Sequence, residues 1–365
     1  MPANNNDAHG GTGPAASAAL DGTSPAESAA PVLRTEGLRV TYASQGSPVH
    51  AVRGIDLAVA PGELVGLVGE SGCGKSTIAM AALGLLRPDV ATVSGSVIVA
   101  GRQIVGASGK ELRAIRWNRV SLVPQSAMNA LSPVLTIGEQ IVDAVRAHER
   151  MPKRQALDLT VDALERVGLT SSHARAYPHE LSGGMRQRAV IAMATVLRPE
   201  LLIMDEPTTA LDVVTQQLVL DQVSELSREL GFAVVLITHD LPMLLEWAHR
   251  IIVMYAGSVV ETGTPHDISR EPYHPYTDML LRSFPPLSGE RRELAVIPGQ
   301  PWDLRRVADQ CLFADRCEHV TDPCGRGTPR LTTHAGRSVA CFLRDPPPPA
   351  ARAADTEVTQ GRKSK

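Results

Sequence analysis

Leu64-Val65-Gly66-Leu67-Val68-Gly69-Glu70-Ser71-Gly72-Cys73-Gly74-Lys75-Ser76-Thr77 decides the fold of this 365-residue chain. Leu64–Val68 is a short apolar run, which reads as a buried strand. Gly69 to Thr77 fits the pattern GxxxxGK[ST], and a helix is expected to start near Lys75. Phosphate binding needs these residue types. Gly72 and Gly74 let the backbone reach left-handed angles, so that successive N–H groups face an anion. The helix N-terminus adds its positive dipole end. Lys75 supplies a point charge to the β- and γ-phosphates, and the Ser76 hydroxyl suits Mg²⁺. Gly69, Ser71, Cys73 and Thr77 complete the expected nucleotide-binding loop. A chance glycine-rich turn is the bland alternative, and the flanking strand and helix argue against it.

Working outward, Ile55, Leu57 and Val59 alternate with Asp56, Ala58 and Ala60, a half-buried strand. Val97–Val99, Val120–Val123, Leu201–Met204, Ala233–Ile237 and Ile251–Tyr255 read as further strands. Helical spacing dominates from about Ser126 to Glu180, as in Val161, Leu164 and Val167. Val219, Val223, Leu226 and Leu230 mark one helix face. Apolar strands alternating with helices imply an α/β fold, a parallel sheet covered by helices and interrupted by a helical insert. After about Pro285 the periodicity fades and Pro, Gly and Cys rise, so a small loop-rich appendage is expected.

Composition narrows the class. Basic residues number 36 against 39 acidic ones, a formal charge of −3. That balance argues against a global grip on nucleic acid. The apolar runs fall far short of the ~20 residues that span a bilayer. No positively charged n-region or apolar h-region follows Met1, so a cytoplasmic protein is expected. Residues 1–31 and 345–365 carry few large apolar side chains and are expected to be disordered tails.

Leu201-Leu202-Ile203-Met204-Asp205-Glu206 delivers two carboxylates to a strand end, where α/β sheets bind ligands. Asp205 suits Mg²⁺ held through water, and Glu206 suits a general base for an attacking water. Leu181-Ser182-Gly183-Gly184-Met185-Arg186-Gln187-Arg188 resembles the signature sequence of ABC-transporter ATPases. By itself the string also reads as a helix N-terminus capped by Ser182. In that family Ser182, Gly183 and Gly184 would bind the γ-phosphate of ATP held by the opposite subunit.

Other family elements follow in order. Gln125, closing Val120 to Gln125, resembles the Q-loop glutamine that contacts Mg²⁺ and senses the membrane partner. Ala210-Leu211-Asp212 resembles the D-loop at the dimer interface. His239 resembles the switch histidine at the γ-phosphate. Tyr42 fits the aromatic that stacks on adenine, a contact worth ~1–3 kcal/mol by analogy with base stacking. The resemblance thus implies an ABC-type phosphate-loop ATPase core over 32–284, with a helical signature subdomain about 126–198 and an antiparallel β portion. Pro124 to Pro133, Ile137-Gly138-Glu139-Gln140, Tyr273 to Thr277 and Ile297-Pro298-Gly299 resemble the oligopeptide/dipeptide importer branch, in particular its D-type ATPase.

Cys311, Cys317, Cys324 and Cys341 are separated by five, six and sixteen residues. Four thiolates in a loop-rich stretch can hold zinc or an iron–sulfur cluster. No two-residue gap occurs, which counts mildly against zinc, although His319 or His334 could complete a zinc site. Four ordinary buried cysteines are the bland reading. The spacing within 285–344 resembles the C-terminal motif of peptide-importer ATPases associated with a [4Fe–4S] cluster.

The resemblance implies an ATP-hydrolysing subunit with catalytic Glu206, His239 and Gln125. It implies a related second ATPase subunit, two permease subunits, an extracytoplasmic solute-binding protein, and a place on the cytoplasmic membrane face. Import of another solute, such as nickel or a sugar, stays open. Among non-transport ABC ATPases, a DNA-repair member is disfavoured because Gly74 and Ser182 lie only 108 positions apart, and a ribosome-acting member because the sequence has one phosphate loop. A small-molecule kinase has no use for the signature string.

Overall fold

The computed structural model describes residues 30–209, 211–284, 296–307, 309–334 and 336–344. The two expected tails lie outside these residues, apart from Ala30 and Pro31. The expected appendage boundary at Pro285 also lies outside them.

Among the described residues, the main sheet has eight strands. From one edge the order is Thr332–His334, Arg337–Val339, Ser258–Gly263, Arg250–Tyr255, Leu64–Val68, Ala233–Thr238, Leu201–Asp205 and Val120–Val123. The five strands from Arg250–Tyr255 onward run parallel. Both faces of this parallel part are buried. Leu64, Val68, Leu202 and Met204 pack on one side, while Val65, Leu67, Leu201 and Ile203 pack on the other. That is why these strands read as unbroken apolar runs. Each fully buried aliphatic side chain contributes roughly 1.5–3 kcal/mol.

Register fixes where the motifs emerge. Val68 pairs with Thr238 and Val253, Asp205 with Ile237, and Val123 with Met204. Gly69, Glu206, His239 and Gln125 therefore leave one edge of the sheet together.

A second, antiparallel sheet runs Val49–Val59, Leu33–Tyr42, Ala91–Val99, Arg102–Gln103. Its Leu33–Tyr42 strand is absent from the sequence reading. Alternation breaks at Glu36-Gly37, where the pairing to Val49–Val59 slips between Thr35 and Leu38. The Val97–Val99 strand extends back to Ala91 through Thr92, Ser94, Gly95 and Ser96, which hid it.

The expected helical insert contains Ile137–His148, Lys153–Arg166 and Gly183–Thr195. Thr136 and Glu139 form a capping box that starts the first of these. Gly138 is required there, because a Cβ would stand 2.6 Å from the Ala174 carbonyl oxygen.

The C-terminal segment is more tightly joined than a separate appendage would be. Its Arg337–Val339 strand pairs with Ser258–Gly263, extending the main sheet. Arg337 donates to Glu261, which is fully buried, at 3.0 Å. Glu261 also accepts from the Tyr273 and His274 backbone amides at 2.7 and 2.9 Å. A buried carboxylate with this many donors is satisfied, and losing the arginine would leave it stranded.

Candidate functional site: a phosphate loop and a separate signature hollow

The Gly69–Gly74 turn and the Lys75–Ala82 helix have the geometry expected of them. Gly72 and Gly74 have φ of 78° and 104°. A Cβ at Gly74 would lie 2.1 Å from the Ala51 carbonyl oxygen, so no other residue fits. Lys75 Nζ donates to the carbonyls of Gly69 and Glu70 at 2.7 and 3.0 Å. Its charge is thus held against the loop. The Cys73 side chain is buried in the core, and that burial raises its thiol pKa.

Ser76 Oγ donates to Asp205 Oδ1 at 3.0 Å. Burial, opposed by this bond, holds the Asp205 carboxyl above its usual range. A divalent cation at these two oxygens would offset that desolvation. The Ser76 hydroxyl and the Asp205 carboxylate are oxygens of the hard kind that suits Mg²⁺.

Glu206 follows with φ of 45°, a left-handed conformation unusual for a side chain of its size. Its amide donates to the Ile237 carbonyl at 2.8 Å, which holds the turn against the neighbouring strand. One carboxylate oxygen lies 3.3 Å from His239 Nδ1. The other accepts from Thr209 Oγ1 at 3.1 Å and lies 3.5 Å from Gln125 Nε2. The three side chains expected to be catalytic therefore meet at one carboxylate. Thr209 was not singled out by the sequence, since a threonine after two prominent carboxylates carries no distinctive signal.

Tyr42 ends the Leu33–Tyr42 strand, and its hydroxyl lies 3.2 Å from Thr77 Oγ1. The ring is thereby tied to the end of the phosphate loop.

Ser182 and Asp212 are elsewhere. Ser182 caps the Gly183–Thr195 helix by accepting from the Met185 amide at 3.3 Å. Asp212 caps Val213–Leu230, accepting from the Thr215 amide and hydroxyl at 2.9 and 2.8 Å. These bonds lower the Asp212 pKa. Both residues line a hollow of about 390 Å³ with Gly183, Gly184, Met185, Arg188, Leu211 and Thr215. No phosphate-loop residue lines it. The phosphate loop and the hollow at Ser182 are thus separate places on the chain.

The cysteine set gathers in space. Cys324 and Cys341 are buried, while Cys311 and Cys317 are partly buried. Burial, reinforced by the charges of the other three thiols, pushes Cys311 up to about 11. Burial raises the Cys317 and Cys341 pKa as well. Among the described residues, however, no group of three His, Cys, Asp or Glu side chains is arranged to hold a metal ion. The expected metal ligation therefore finds no support in the present side-chain geometry.

Comparison with known proteins agrees with the site. Residues 52–209 match the ABC transporter family, and residues 260–324 match the family described as "Oligopeptide/dipeptide transporter, C-terminal region". The oligopeptide transport ATP-binding protein OppD of Salmonella typhimurium is 40% identical over 313 residues, covering 85% of this chain and 93% of that protein. AppD of Bacillus subtilis, also named an oligopeptide transport ATP-binding protein, is 41% identical over 316 residues, covering 86% and 96%. Among solved structures, the dimeric bacterial ABC transporter cassette MJ0796 superposes with a TM-score of 0.57 at 28% identity, covering 64% of this chain and 98% of that one. CbiO1 from Clostridium perfringens, part of the ABC transporter complex cbiONQ, gives 0.58 at 26% identity, covering 67% and 92%. Phosphate loop, paired carboxylates, signature helix and C-terminal segment all point the same way, and the chain belongs to the ATP-binding proteins of the ABC oligopeptide/dipeptide transporter family.

Proposed function

We propose that this chain is the ATP-hydrolysing subunit that energises a membrane importer of dipeptides or oligopeptides. The observation that carries the reading is the separation of the half-sites. Lys75, Asp205, Glu206, Gln125 and His239 serve one face, and Ser182, Gly183, Gly184 and Asp212 lie in a different hollow. ATP would be completed by the signature of a second, related ATPase chain, and each chain would complete the other's site.

In this mechanism the loop amides and Lys75 hold the phosphates of ATP. Tyr42 stacks on the adenine. Ser76, Gln125 and Asp205 would hold Mg²⁺, which neutralises charge on the β- and γ-phosphates. Glu206 takes the proton of the attacking water as the bond to the γ-phosphorus forms and the bond to the leaving oxygen breaks. His239 and Gln125 keep the Glu206 carboxylate aimed, and His239 approaches the γ-phosphate. Gln125 connects the site to the permease. No helix among the described residues is long and apolar enough to cross a membrane. Two permease subunits would supply the spans, a solute-binding protein would deliver the peptide, and this chain would sit peripherally on the cytoplasmic face.

The four cysteines would hold a [4Fe–4S] cluster, zinc being the alternative. A four-iron cluster spreads its ligand sulfurs wider than a single ion does, and four cysteines within one loop-rich segment suit it. When bound, such a group would cross-link a segment poor in periodic apolar positions.

The test is reconstitution. The chain is combined with its partner ATPase and the permeases in vesicles, and peptide-dependent ATP hydrolysis is measured. Hydrolysis stimulated by peptide-loaded binding protein supports the reading. Stimulation by a sugar or by nickel alone would move the solute assignment while leaving the ATPase.

A further inference from the structure

Glu70 poses a problem for an anion-binding loop. It lies between Gly69 and Ser71, where a bare carboxylate would repel the phosphates that the loop gathers. The structure supplies the answer from the far end of the chain. Arg316 Nη1 and Nη2 donate to Glu70 Oε2 and Oε1, each at 2.8 Å, a two-pronged pair across 246 positions. The Arg316 side chain is only 4% exposed and that of Glu70 22%.

Arg316 is itself held on several sides. Its Nε donates to the Pro298 carbonyl at 2.7 Å and its Nη1 to the Tyr255 hydroxyl at 3.3 Å. Its guanidinium carbon lies 5.7 Å from the Tyr255 ring centre and 5.9 Å from that of Phe313. Gly299 leaves it room, because a Cβ there would come within 3.3 Å of Arg316 Cγ. The bond to Glu70 raises the Arg316 pKa further, so its charge is permanent.

Glu70 is tied at three points. Its side chain is held by Arg316. Its amide donates to the Tyr276 hydroxyl at 2.9 Å. Its carbonyl accepts from Lys75 Nζ at 3.0 Å and from the Cys73 amide at 3.2 Å. Moving the Glu70 side chain would therefore disturb the carbonyl that helps to hold Lys75.

We propose that Arg316 is a positioning residue for nucleotide binding, acting through Glu70. Its planar fork fixes the shape of the phosphate loop and cancels the carboxylate charge beside it. The C-terminal segment, which starts beyond the ATPase core in sequence, thereby becomes part of the ATP site. This inference rests on the reading that Gly69–Thr77 binds the phosphates of ATP.

The test measures ATP affinity of the full chain by titration calorimetry with Mg²⁺, in four variants. Arg316→Gln is expected to weaken ATP binding about tenfold or more. Glu70→Gln alone is expected to change it less than about threefold, because it removes the charge and keeps an acceptor. In the Glu70→Gln background, Arg316→Gln is expected to cost less than about threefold more. A merely structural role would not give this rescue, since packing against Tyr255 and Phe313 is lost in both backgrounds. Equal losses in the two backgrounds, or unchanged affinity in Arg316→Gln, would overturn the proposal. Should Arg316→Gln fail to fold, Arg316→Lys carries the same test, since it keeps the charge and loses the fork. Lys75→Ala is the control: if it also leaves ATP binding intact, the phosphate-loop reading beneath the proposal has failed.

Discussion

The hydroxyl of Ser76 and the carboxylate of Asp205 are joined at 3.0 Å across 129 positions of sequence. Ser76 opens the helix after one strand and Asp205 closes another, with the Ala233–Thr238 strand between them in the sheet. The contact follows from a parallel sheet, whose strands all deliver their C-terminal ends to one edge. It brings the phosphate loop and the carboxylates into a single constellation. A distinct hollow holds the signature serine.

This division separates binding from completion of the site. Lys75→Ala should abolish ATP binding by the chain, because the loop loses its point charge. Ser182→Arg should leave ATP binding by the isolated chain within about twofold of normal and abolish hydrolysis in the assembled pair. Nucleotide titration of the isolated chain and an ATPase assay of the pair check both. Loss of ATP binding by the isolated Ser182→Arg chain would show that the half-sites are not shared between chains.

Burial of His274 makes stability depend on pH. The ring is fully enclosed, and desolvation lowers its pKa to about 3. An unfolded histidine titrates near 6.5. Below that pH the unfolded chain takes up a proton that the folded chain refuses. Stability is therefore full above about pH 6.5 and is lost as pH falls toward 3, with a slope of up to about 1.4 kcal/mol per unit. His274 Nδ1 accepts from the Tyr276 amide at 3.0 Å, and an asparagine oxygen can take over that cap. Urea unfolding between pH 7 and 5 should show a shallower pH dependence in His274→Asn than in the parent chain. Identical slopes would contradict this origin.

The Arg337–Glu261 pair should behave as a buried ion pair. Arg337→Met leaves a fully buried carboxylate without its counter-charge and should cost about 3–5 kcal/mol. Adding Glu261→Gln should recover much of that loss. Urea midpoints of the parent, the single variants and the double variant check the cycle, and a double variant as unstable as Arg337→Met would contradict it.

The cysteine set has its own check. Protein purified without oxygen should be brown, with about four irons per chain if a four-iron cluster is present. Cys311→Ser should bleach it, and Cys73→Ser should not. Colourless protein with one tightly bound zinc keeps the site and changes the metal. With neither metal bound and no effect of Cys311→Ser on folding, the four are ordinary cysteines.

Much of the fold was legible because phosphate chemistry restricts residue choice. Gly74, Lys75 and Ser76 cannot be exchanged freely, and buried parallel strands such as Leu201–Asp205 are apolar throughout. The Leu33–Tyr42 strand was not legible, since its slip at Glu36-Gly37 breaks the alternation that announces a strand. The join of the C-terminal segment to the main sheet was hidden as well. Arg337–Val339 is three residues long, too short for a period to show. Glu70 and Arg316 are 246 positions apart and belong to no shared motif. The signal that was present is chemical: a carboxylate inside an anion-binding loop demands a counter-charge.

The central claim is that Glu206 drives ATP hydrolysis in an assembled peptide importer. Its most direct test is peptide-stimulated ATP hydrolysis by the complex in vesicles, comparing the parent chain with Glu206→Gln. The account predicts a loss of ~10²–10⁴ in turnover, the usual worth of general-base help, with ATP still bound and paired chains accumulating. Near-normal turnover in Glu206→Gln, with peptide stimulation intact, would contradict it.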